Sequence, residues 1–102
     1  MPMSLQVMYP ITADTNFDYD YYSATHMPLV DKRMGAHIDD VLITKGIAGG
    51  PDVPPGMYAV ATMIFSDQAA LGAALAAAGP VIGDIPNFTN STPQMLIGEV
   101  IS

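Results

Sequence analysis

The stretch FDYDYYSATHMPLV, residues 17–30, determines how the first half of this chain is interpreted. It combines a helix-like pattern with three tyrosines and one of the chain's two histidines, and a proline follows almost at once. Helical spacing puts Tyr19, Tyr22 and His26 at positions i, i+3 and i+7, so we expect them on one face. Pro28 lacks an amide hydrogen and its ring clashes with the preceding turn, so we expect a kink there. An imidazole beside a kink and flanked by phenols suits chemistry on a small molecule.

Polar residues mark the two ends of this helix. Thr15 and Asp18 stand three residues apart, which is the spacing of a capping box. Lys32 and Arg33 would lie at the negative end of the helix dipole, and Gly35 is a natural C-cap. The sequence therefore predicts a first helix over residues 16–34, with the kink inside it.

The remaining segments alternate between strand and helix signals. Apolar and β-branched runs predict strands over residues 3–10, within 38–47, over 57–65 and over 94–101. A second helix is predicted over 68–78, because Ser66 or Asp67 can cap it and Gly79-Pro80 can end it. Residues 49–56 are predicted to form an exposed loop, and residues 81–92 irregular chain. The order βαββαβ predicts a single α+β domain, residues 1–102, with two helices on one face of a four-stranded sheet.

The predicted strands carry apolar side chains on both faces. In residues 57–65 the odd-numbered side chains point one way and the even-numbered ones the other, and both sets are largely apolar. An antiparallel sheet with one wet face alternates apolar with polar residues instead. Each large apolar side chain removed from water contributes about 1.5–3 kcal/mol, against a net stability of only about 5–15 kcal/mol. We therefore expect the face away from the helices to pack against a second copy in a homodimer.

Composition excludes several classes of function. The chain has 102 residues, a net charge of −7 and only three basic residues, so it would repel nucleic-acid phosphates and anionic membranes. It has no cysteine, which excludes disulfides, thiolate catalysis and cysteine-ligated metal. No run approaches the roughly 18 apolar residues of a spanning helix, and residues 1–5 do not resemble a signal peptide. We expect a cytoplasmic protein with no nucleic-acid or membrane partner.

Five short motifs, in this order, resemble the EthD family, named for ethyl tert-butyl ether degradation, and the resemblance covers nearly the whole chain. The motifs are Val7-Met8-Tyr9-Pro10, Phe17-Asp18-x-x-Tyr21-Tyr22, His26-Met27-Pro28-Leu29-Val30, Asp84-Ile85-Pro86-Asn87-Phe88-Thr89 and Gly98-Glu99-Val100. The resemblance implies a ferredoxin-like βαββαβ fold, with a four-stranded antiparallel sheet and two helices on one face, and pairing of two chains into a dimeric α+β barrel. It also implies oxidoreduction or degradation chemistry without an organic cofactor. Relatives on the same barrel include cofactor-free monooxygenases, lactone isomerases, polyketide cyclases or decarboxylases, and haem-handling proteins, so the reaction has to be argued from the site.

His26 is the leading candidate for a catalytic residue. An imidazole, with an ordinary pKa of about 6.5, suits general acid–base work at cellular pH. In the family pattern this histidine faces a pocket between helices and sheet; a structural role, binding carbonyls that Pro28 leaves free, is the alternative. Tyr9, Tyr21 and Tyr22 could each orient a substrate or polarise a carbonyl, and Tyr22, four residues before the histidine, is favoured, followed by Tyr9. Core packing is the alternative for all three phenols.

The segment around residue 84 supplies the other candidates. Asp84 could orient the imidazole or act as a base, Phe88 could line a pocket, and Asn87 could contact a substrate. Local turn chemistry is the alternative for the two polar side chains. Residues 37–40 hold one histidine and two aspartates, but their spacing fits no metal-ligand set, so we expect no metal. No phosphate-binding glycine motif is present, and we expect no cofactor.

The leading hypothesis is a small enzyme acting on a hydrophobic, oxygenated metabolite, with His26 moving a proton and Tyr22 or Asp84 assisting. Oxidoreductase is the class that the resemblance implies, whereas isomerisation or decarboxylation is the chemistry these residues could perform unaided. The main alternative is a non-catalytic carrier or accessory protein that holds an apolar small molecule in the same cavity. A haem protein with His26 as axial ligand and a structural dimer with a filled interior are two further alternatives.

Overall fold

The sheet of this protein has the strand order β2-β3-β1-β4, and every neighbouring pair is antiparallel. The computed structural model describes residues 1–102. Its elements, in chain order, are β1 (Met3–Pro10), α1 (Tyr19–Tyr21), a π-helical segment (Tyr22–His26), α2 (Met27–Met34), a 3₁₀ turn (Gly35–His37), β2 (Asp40–Lys45), β3 (Met57–Phe65), α3 (Gln68–Ala76), α4 (Gly79–Asp84), a second 3₁₀ turn (Ile85–Asn87) and β4 (Gln94–Glu99). The helices pack on one face of the sheet. The predicted α+β, ferredoxin-like fold is confirmed.

The hydrophobic core lies between the helices and one face of the two central strands. Alternate side chains of β1 and β3 are buried there, as the period of two predicts: Leu5, Val7, Tyr9, Ala59, Ala61, Met63 and Phe65. Val30 and Met34 of α2, Leu71 and Ala74 of α3, and Val81 of α4 cover them. Ala74 of α3 is fully buried in this core.

The opposite face of the sheet is left open. Its central side chains are half-buried and alternate between polar and apolar, with Gln6 donating to the Thr62 hydroxyl across the β1–β3 pair (3.3 Å). The edge strands add Leu42, 65% exposed, and Leu96, 54% exposed, to the same face. The face is therefore less uniformly apolar than the sequence pattern predicts, although its two edges expose large apolar side chains.

The first helix begins three residues later than predicted, at Tyr19. The predicted capping box is wrong: the Asp18 carboxylate accepts from the Tyr21 amide (3.0 Å), while the Thr15 hydroxyl donates to the Thr12 carbonyl (2.9 Å). Residues 16–17 are held instead by the distant segment around residue 89, where Phe17 forms a β-bridge with Thr89. Tertiary contacts thus override the local helix signal.

A π-helical segment replaces the predicted proline kink. The Met27 amide donates to the Tyr22 carbonyl, five residues back, so the chain makes one wide turn immediately before Pro28. Pro28 then occupies the first turn of α2, where its missing amide hydrogen is not required. Single π-helical turns are rare and recur at functional sites, and this one carries both Tyr22 and His26, which are buried.

A third helical region occupies part of the stretch that was predicted to be irregular. Gly79-Pro80 follows the end of α3 and also begins the next helix, because Pro80 lies in the first turn of α4. This helix continues into a 3₁₀ turn at Ile85. The prediction failed because proline has a fixed φ that suits a helix start as well as a helix stop. The last strand is also shorter than predicted and ends at Glu99.

Two smaller predictions can be compared directly with the structure. The Asp67 carboxylate caps α3 by accepting from the Ala70 amide (2.8 Å), as predicted. No single helix has the length and hydropathy to cross a membrane, although the bent pair Gln68–Ala76 and Gly79–Asn87 meets those two criteria jointly.

Candidate active site

A cavity of about 70 Å³ lies between the helices and the core face of the sheet. Fifteen of its 16 lining residues are hydrophobic, and His26 is the exception. One water needs roughly 10–15 Å³, so the cavity has room for a small organic molecule. Three of its lining side chains, Leu75, Ile82 and Met95, are themselves solvent-exposed and form an apolar rim. The other lining residues are Leu5, Val7, Tyr9, Tyr22, Met27, Val30, Met34, Ala61, Met63, Ala78, Val81 and Ile85.

His26 and Asp84 form the polar pair of this cavity. The imidazole is only 3% exposed, and its Nδ1 lies 3.0 Å from Asp84 Oδ2. The π-helical segment carries the histidine and the last residue of α4 carries the aspartate, so two elements 58 residues apart meet here. A carboxylate accepts hydrogen bonds only, so Nδ1 donates its hydrogen to Asp84. In the neutral ring Nε2 then has a free lone pair.

The other carboxylate oxygen of Asp84 is held by two donors. The Tyr21 hydroxyl donates to Oδ1 at 2.7 Å, and the Asn87 side-chain amide donates to the same atom at 3.0 Å. Burial by itself would raise the pKa of Asp84, but the hydrogen bonds from Asn87, Tyr21 and His26 together outweigh burial and lower it. Asp84 is therefore ionised at neutral pH, and its side chain is 11% exposed.

Two buried phenols border the imidazole. The Tyr22 ring stacks on the His26 ring at a centroid distance of 5.4 Å, and the Tyr9 ring meets the Tyr22 ring edge-on at 5.9 Å. Burial raises the pKa of Tyr22 to about 12. The pKa of Tyr9 is raised more than that of Tyr22, mainly by burial and to a smaller extent by the nearby Tyr22 phenol. Both hydroxyls are therefore protonated at any physiological pH and can donate a hydrogen bond.

Three polar atoms of the cavity lining have no hydrogen-bond partner in the protein: His26 Nε2 and the hydroxyl oxygens of Tyr9 and Tyr22. Yet every fully buried side-chain nitrogen or oxygen in the structure has a partner. These three atoms are therefore not sealed in the core and each retains contact with accessible space. The side chains of His26 and Tyr9 are 2–3% exposed and line this cavity, so we assign their contact to it. Tyr22 lines this cavity and also a separate surface pocket beside Tyr19 and Lys45.

The structure brings most of the sequence-predicted site residues together. His26, Tyr22 and Tyr9 line the cavity, and Asp84 reaches it through the imidazole. Phe88 lies behind the site, with its ring 4.5 Å from the His26 ring.

Three predicted placements differ in the structure. Phe88 does not line the cavity, although its ring contacts the His26 ring. Asn87 does not line the cavity, because its amide is directed to the Asp84 carboxylate. Tyr19 does not share a face with Tyr22 and His26, because its hydroxyl donates to the Tyr58 carbonyl (2.9 Å) and Lys45 lies over its ring. The wide π-helical turn begins directly after Tyr21 and changes the helix periodicity on which the prediction was based.

Sequence reasoning missed the cavity wall supplied by α4 and the contact that Tyr21 makes. Ile82 and Ile85 line the cavity but belong to the stretch that was predicted to be irregular. The apolar residues at 81, 82 and 85, with spacings of three and four, are a helical signal that could have revealed this wall. No local signal pairs Tyr21 with a residue 63 positions away.

High pH is expected to destabilise the fold through the buried phenols. Unfolded tyrosine ionises near pH 10, whereas Tyr22 in the fold ionises at about 12. The stabilisation is therefore complete below pH 10 and is lost as pH rises towards 12, by about 2–3 kcal/mol for this phenol. Urea unfolding at a series of pH values, with tyrosinate absorbance as a second readout, measures the loss. Tyr22→Phe should reduce this dependence and leave the part that comes from Tyr9. Ionisation of every tyrosine near pH 10 with the fold intact would contradict the expectation.

No group of three or more histidine, aspartate or glutamate side chains lies close enough to hold a metal ion. The pair at the cavity thus consists of one imidazole and one carboxylate, with phenol and amide donors around them. This set of groups can accept, donate and relay protons.

Comparison with solved structures identifies close relatives of the fold. No protein-family model matches the sequence, and no curated protein does. An EthD-like protein from Ralstonia eutropha is 34% identical, with a TM-score of 0.87 over 99% of this chain and 93% of its own. An EthD family protein from Bacillus halodurans is 23% identical, with a TM-score of 0.74 over 99% of this chain and 100% of its own.

More distant structures share the fold alone. A cofactor-independent oxygenase from Streptomyces nogalater is 14% identical, with a TM-score of 0.58 over 99% of this chain and 93% of its own. A dimeric ferredoxin-like protein from an uncultured marine organism is 13% identical, with a TM-score of 0.58 over 100% of both chains. The same architecture therefore occurs in a cofactor-independent oxygenase and in a dimeric protein.

Proposed function

The chain belongs to the EthD family, and on that basis we propose that it is an enzyme that transfers a proton on a small hydrophobic carbonyl compound. The observation that carries this proposal is the His26–Asp84 pair, at 3.0 Å, beside an otherwise apolar cavity. His26 is the general base and Asp84 orients it. Tyr22, with Tyr9 beside it, is the hydrogen-bond donor to the substrate oxygen.

The imidazole has the arrangement that a general base needs. Asp84 is ionised and accepts the Nδ1 hydrogen, so the lone pair of Nε2 is available to a substrate. The surrounding cavity excludes bulk water, which strengthens electrostatic interactions inside it. A histidine used only for packing would be expected to have both ring nitrogens satisfied by the protein.

The phenols suit a developing negative charge on oxygen. Tyr22 and Tyr9 remain protonated because burial raises their pKa, so they are donors and not bases at neutral pH. A donor directed to the position where charge develops stabilises the transition state more than the ground state. The Tyr22 ring lies against the imidazole, which supports a role for this hydroxyl close to the reacting carbon.

The proposed step is the formation of an enolate. The α carbon–hydrogen bond of the ketone breaks as the Nε2–H bond forms, and the electron pair moves to the carbonyl oxygen, where a tyrosine hydroxyl donates to it. The imidazolium, stabilised by Asp84, returns a proton to the same or another carbon. Atoms and charges balance without an oxidant, and the net result is isomerisation or exchange.

The cavity lining favours uncharged substrates. It contains no lysine or arginine, so a carboxylate or phosphate group would lose its hydration without gaining an ion pair. An alkyl or aryl ketone would place its hydrocarbon part against the apolar lining, and its carbonyl oxygen would accept a hydrogen bond from a tyrosine hydroxyl. The exposed apolar rim of Leu75, Ile82 and Met95 gives such a molecule a route of entry.

We also propose that the protein works as a homodimer through the open face of its sheet. Large apolar side chains at both edges of this face are more than half exposed in the single chain. Packing the face against a second copy would remove them from water. The dimeric protein that shares the fold supports this arrangement.

Deuterium exchange tests the enzymatic proposal without knowledge of the natural substrate. Cyclopentanone or cyclohexanone is incubated with the protein in D₂O, and the loss of α-proton signal is followed by NMR. We expect exchange that is faster than in buffer with the same concentration of free imidazole, and that saturates with ketone. Saturable binding without exchange would instead indicate a carrier. An oxygen electrode in the same reaction separates isomerase from oxygenase chemistry.

A further inference from the structure

The two carboxylate oxygens of Asp84 have different partners: one contacts the imidazole of the candidate site, and the other contacts donors nearer the protein surface. Oδ2 accepts from His26 Nδ1, and Oδ1 accepts from the Tyr21 hydroxyl and the Asn87 amide. The three donors come from the π-helical segment, from α1 and from the 3₁₀ turn that follows α4. No lysine or arginine pairs with this carboxylate.

We propose that Tyr21 is a positioning residue that acts on His26 through Asp84, with Asn87 as a second anchor. This assignment rests on the proposed function of the His26–Asp84 pair. Tyr21 does not line the cavity, so it has no contact with a substrate there.

An anchor is needed because of where Asp84 lies. It is the last residue of a six-residue helix, and its side chain is partly exposed, so water competes for the carboxylate. With Oδ1 occupied by two protein donors, the carboxylate plane is fixed and Oδ2 stays directed to the imidazole. A partner held in one orientation selects one tautomer of the histidine.

Both anchors of the Asp84 carboxylate, Tyr21 and Asn87, are uncharged donors. Tyr21 and Asn87 donate to the carboxylate and, with His26, lower its pKa against the effect of burial. An arginine in their place would keep Asp84 ionised but would also repel the imidazolium that forms during proton transfer. Neutral donors keep Asp84 ionised without repelling the His26 imidazolium. The titratable groups that face Asp84 are thus Tyr21 and His26 only.

The ring of Tyr21 makes its hydroxyl separately testable. It stacks on Phe88 at 6.3 Å, and Phe88 in turn contacts the His26 ring. Tyr21→Phe retains this ring and removes only the donor to Oδ1. Tyr19→Phe is a matched control, because it removes a hydroxyl that donates to the Tyr58 carbonyl, away from Asp84.

Nitrogen-15 NMR of the imidazoles measures the expected effect. In the wild type the neutral His26 ring should carry its hydrogen on Nδ1, and His37, the only other histidine, is an internal reference. Tyr21→Phe should shift part of the His26 population to the Nε2–H tautomer. The carboxyl titration of Asp84 should move to higher pH, and ketone exchange should slow about tenfold. Asn87→Ala, at an exposed position, should act in the same direction and provides a second test if the phenylalanine variant does not fold.

The outcomes separate this assignment from the proposed function. An unchanged His26 tautomer in both Tyr21→Phe and Asn87→Ala overturns it, even if exchange is observed in the wild type. An equal shift in Tyr19→Phe also overturns it, because the effect would then be general. A tautomer shift confined to the two anchor variants supports it, even if no ketone exchanges and the enzymatic proposal fails.

Discussion

Replacing His26 with alanine is expected to slow ketone α-proton exchange by about 10²–10⁴-fold, the usual contribution of a general acid–base residue. The reason is that no other lining side chain can accept a proton at neutral pH. Tyr9 and Tyr22 are held protonated, and Asp84 reaches the cavity only through the imidazole. Exchange rates at saturating ketone, measured by NMR for both proteins, give the ratio directly.

Two controls make the loss interpretable. His37→Ala removes the other histidine, which does not line the cavity, and should leave the rate unchanged. Saturable ketone binding should survive in His26→Ala, because the apolar lining that provides most of the contact remains. An alanine variant that keeps more than a tenth of the wild-type rate would remove His26 from the mechanism.

Replacing Val60 with aspartate is expected to convert the proposed homodimer into a monomer. Val60 lies on the open face of β3, and a two-fold interface would bury the new charge on both subunits. An uncompensated buried charge costs about 3–5 kcal/mol, so the dissociation constant should rise by at least about 10²-fold. Sedimentation velocity over a range of protein concentrations measures this change.

The control for this substitution adds the same charge elsewhere. Ala69→Asp lies at an exposed position in the first turn of α3, on the other side of the sheet, and should leave the dimer intact. A wild-type protein that sediments as a folded monomer at micromolar concentration would contradict the proposed interface before any variant is made.

The strands could be predicted from the sequence because their signal is local and periodic. The alternation in residues 57–65 correctly separated the side chains of the two faces, although it did not show that the odd-numbered set enters the core, and Asp67 correctly indicated the start of α3. The errors arose where distant segments compete with local preferences. Thr15 lost its predicted capping role because Thr89 and Asn90 hold the adjoining residues.

The π-helical segment shows a second limit of sequence reasoning. Pro28 correctly indicated an irregularity, but its missing amide hydrogen can be accommodated by a kink or by a wide turn placed before it. Only the packed structure distinguishes the two. The choice matters for the candidate site, because the wide turn places Tyr22 and His26 among the buried residues.

The residues of the candidate site were easier to predict from the sequence than the contacts between them. Asp84 was expected either to orient the imidazole or to act as a base, and its carboxylate does contact His26 across 58 positions. No local signal gave the other two hydrogen-bond partners of Asp84, the Tyr21 hydroxyl and the Asn87 amide. Tyr21 and Tyr22 are adjacent and were judged by distance from the histidine alone. In the structure the Tyr21 hydroxyl donates to Asp84, whereas the Tyr22 side chain lines the cavity.

The position of a ketone bound in the crystal is the most direct test of the central claim. We expect cyclohexanone inside the cavity, with its oxygen in hydrogen-bond contact with the Tyr22 or Tyr9 hydroxyl. Its α-carbon should lie within about 3–3.5 Å of His26 Nε2, the distance of a near-attack geometry. A saturating soak that leaves the cavity empty, or a ketone bound with Nε2 turned away from it, would contradict the account.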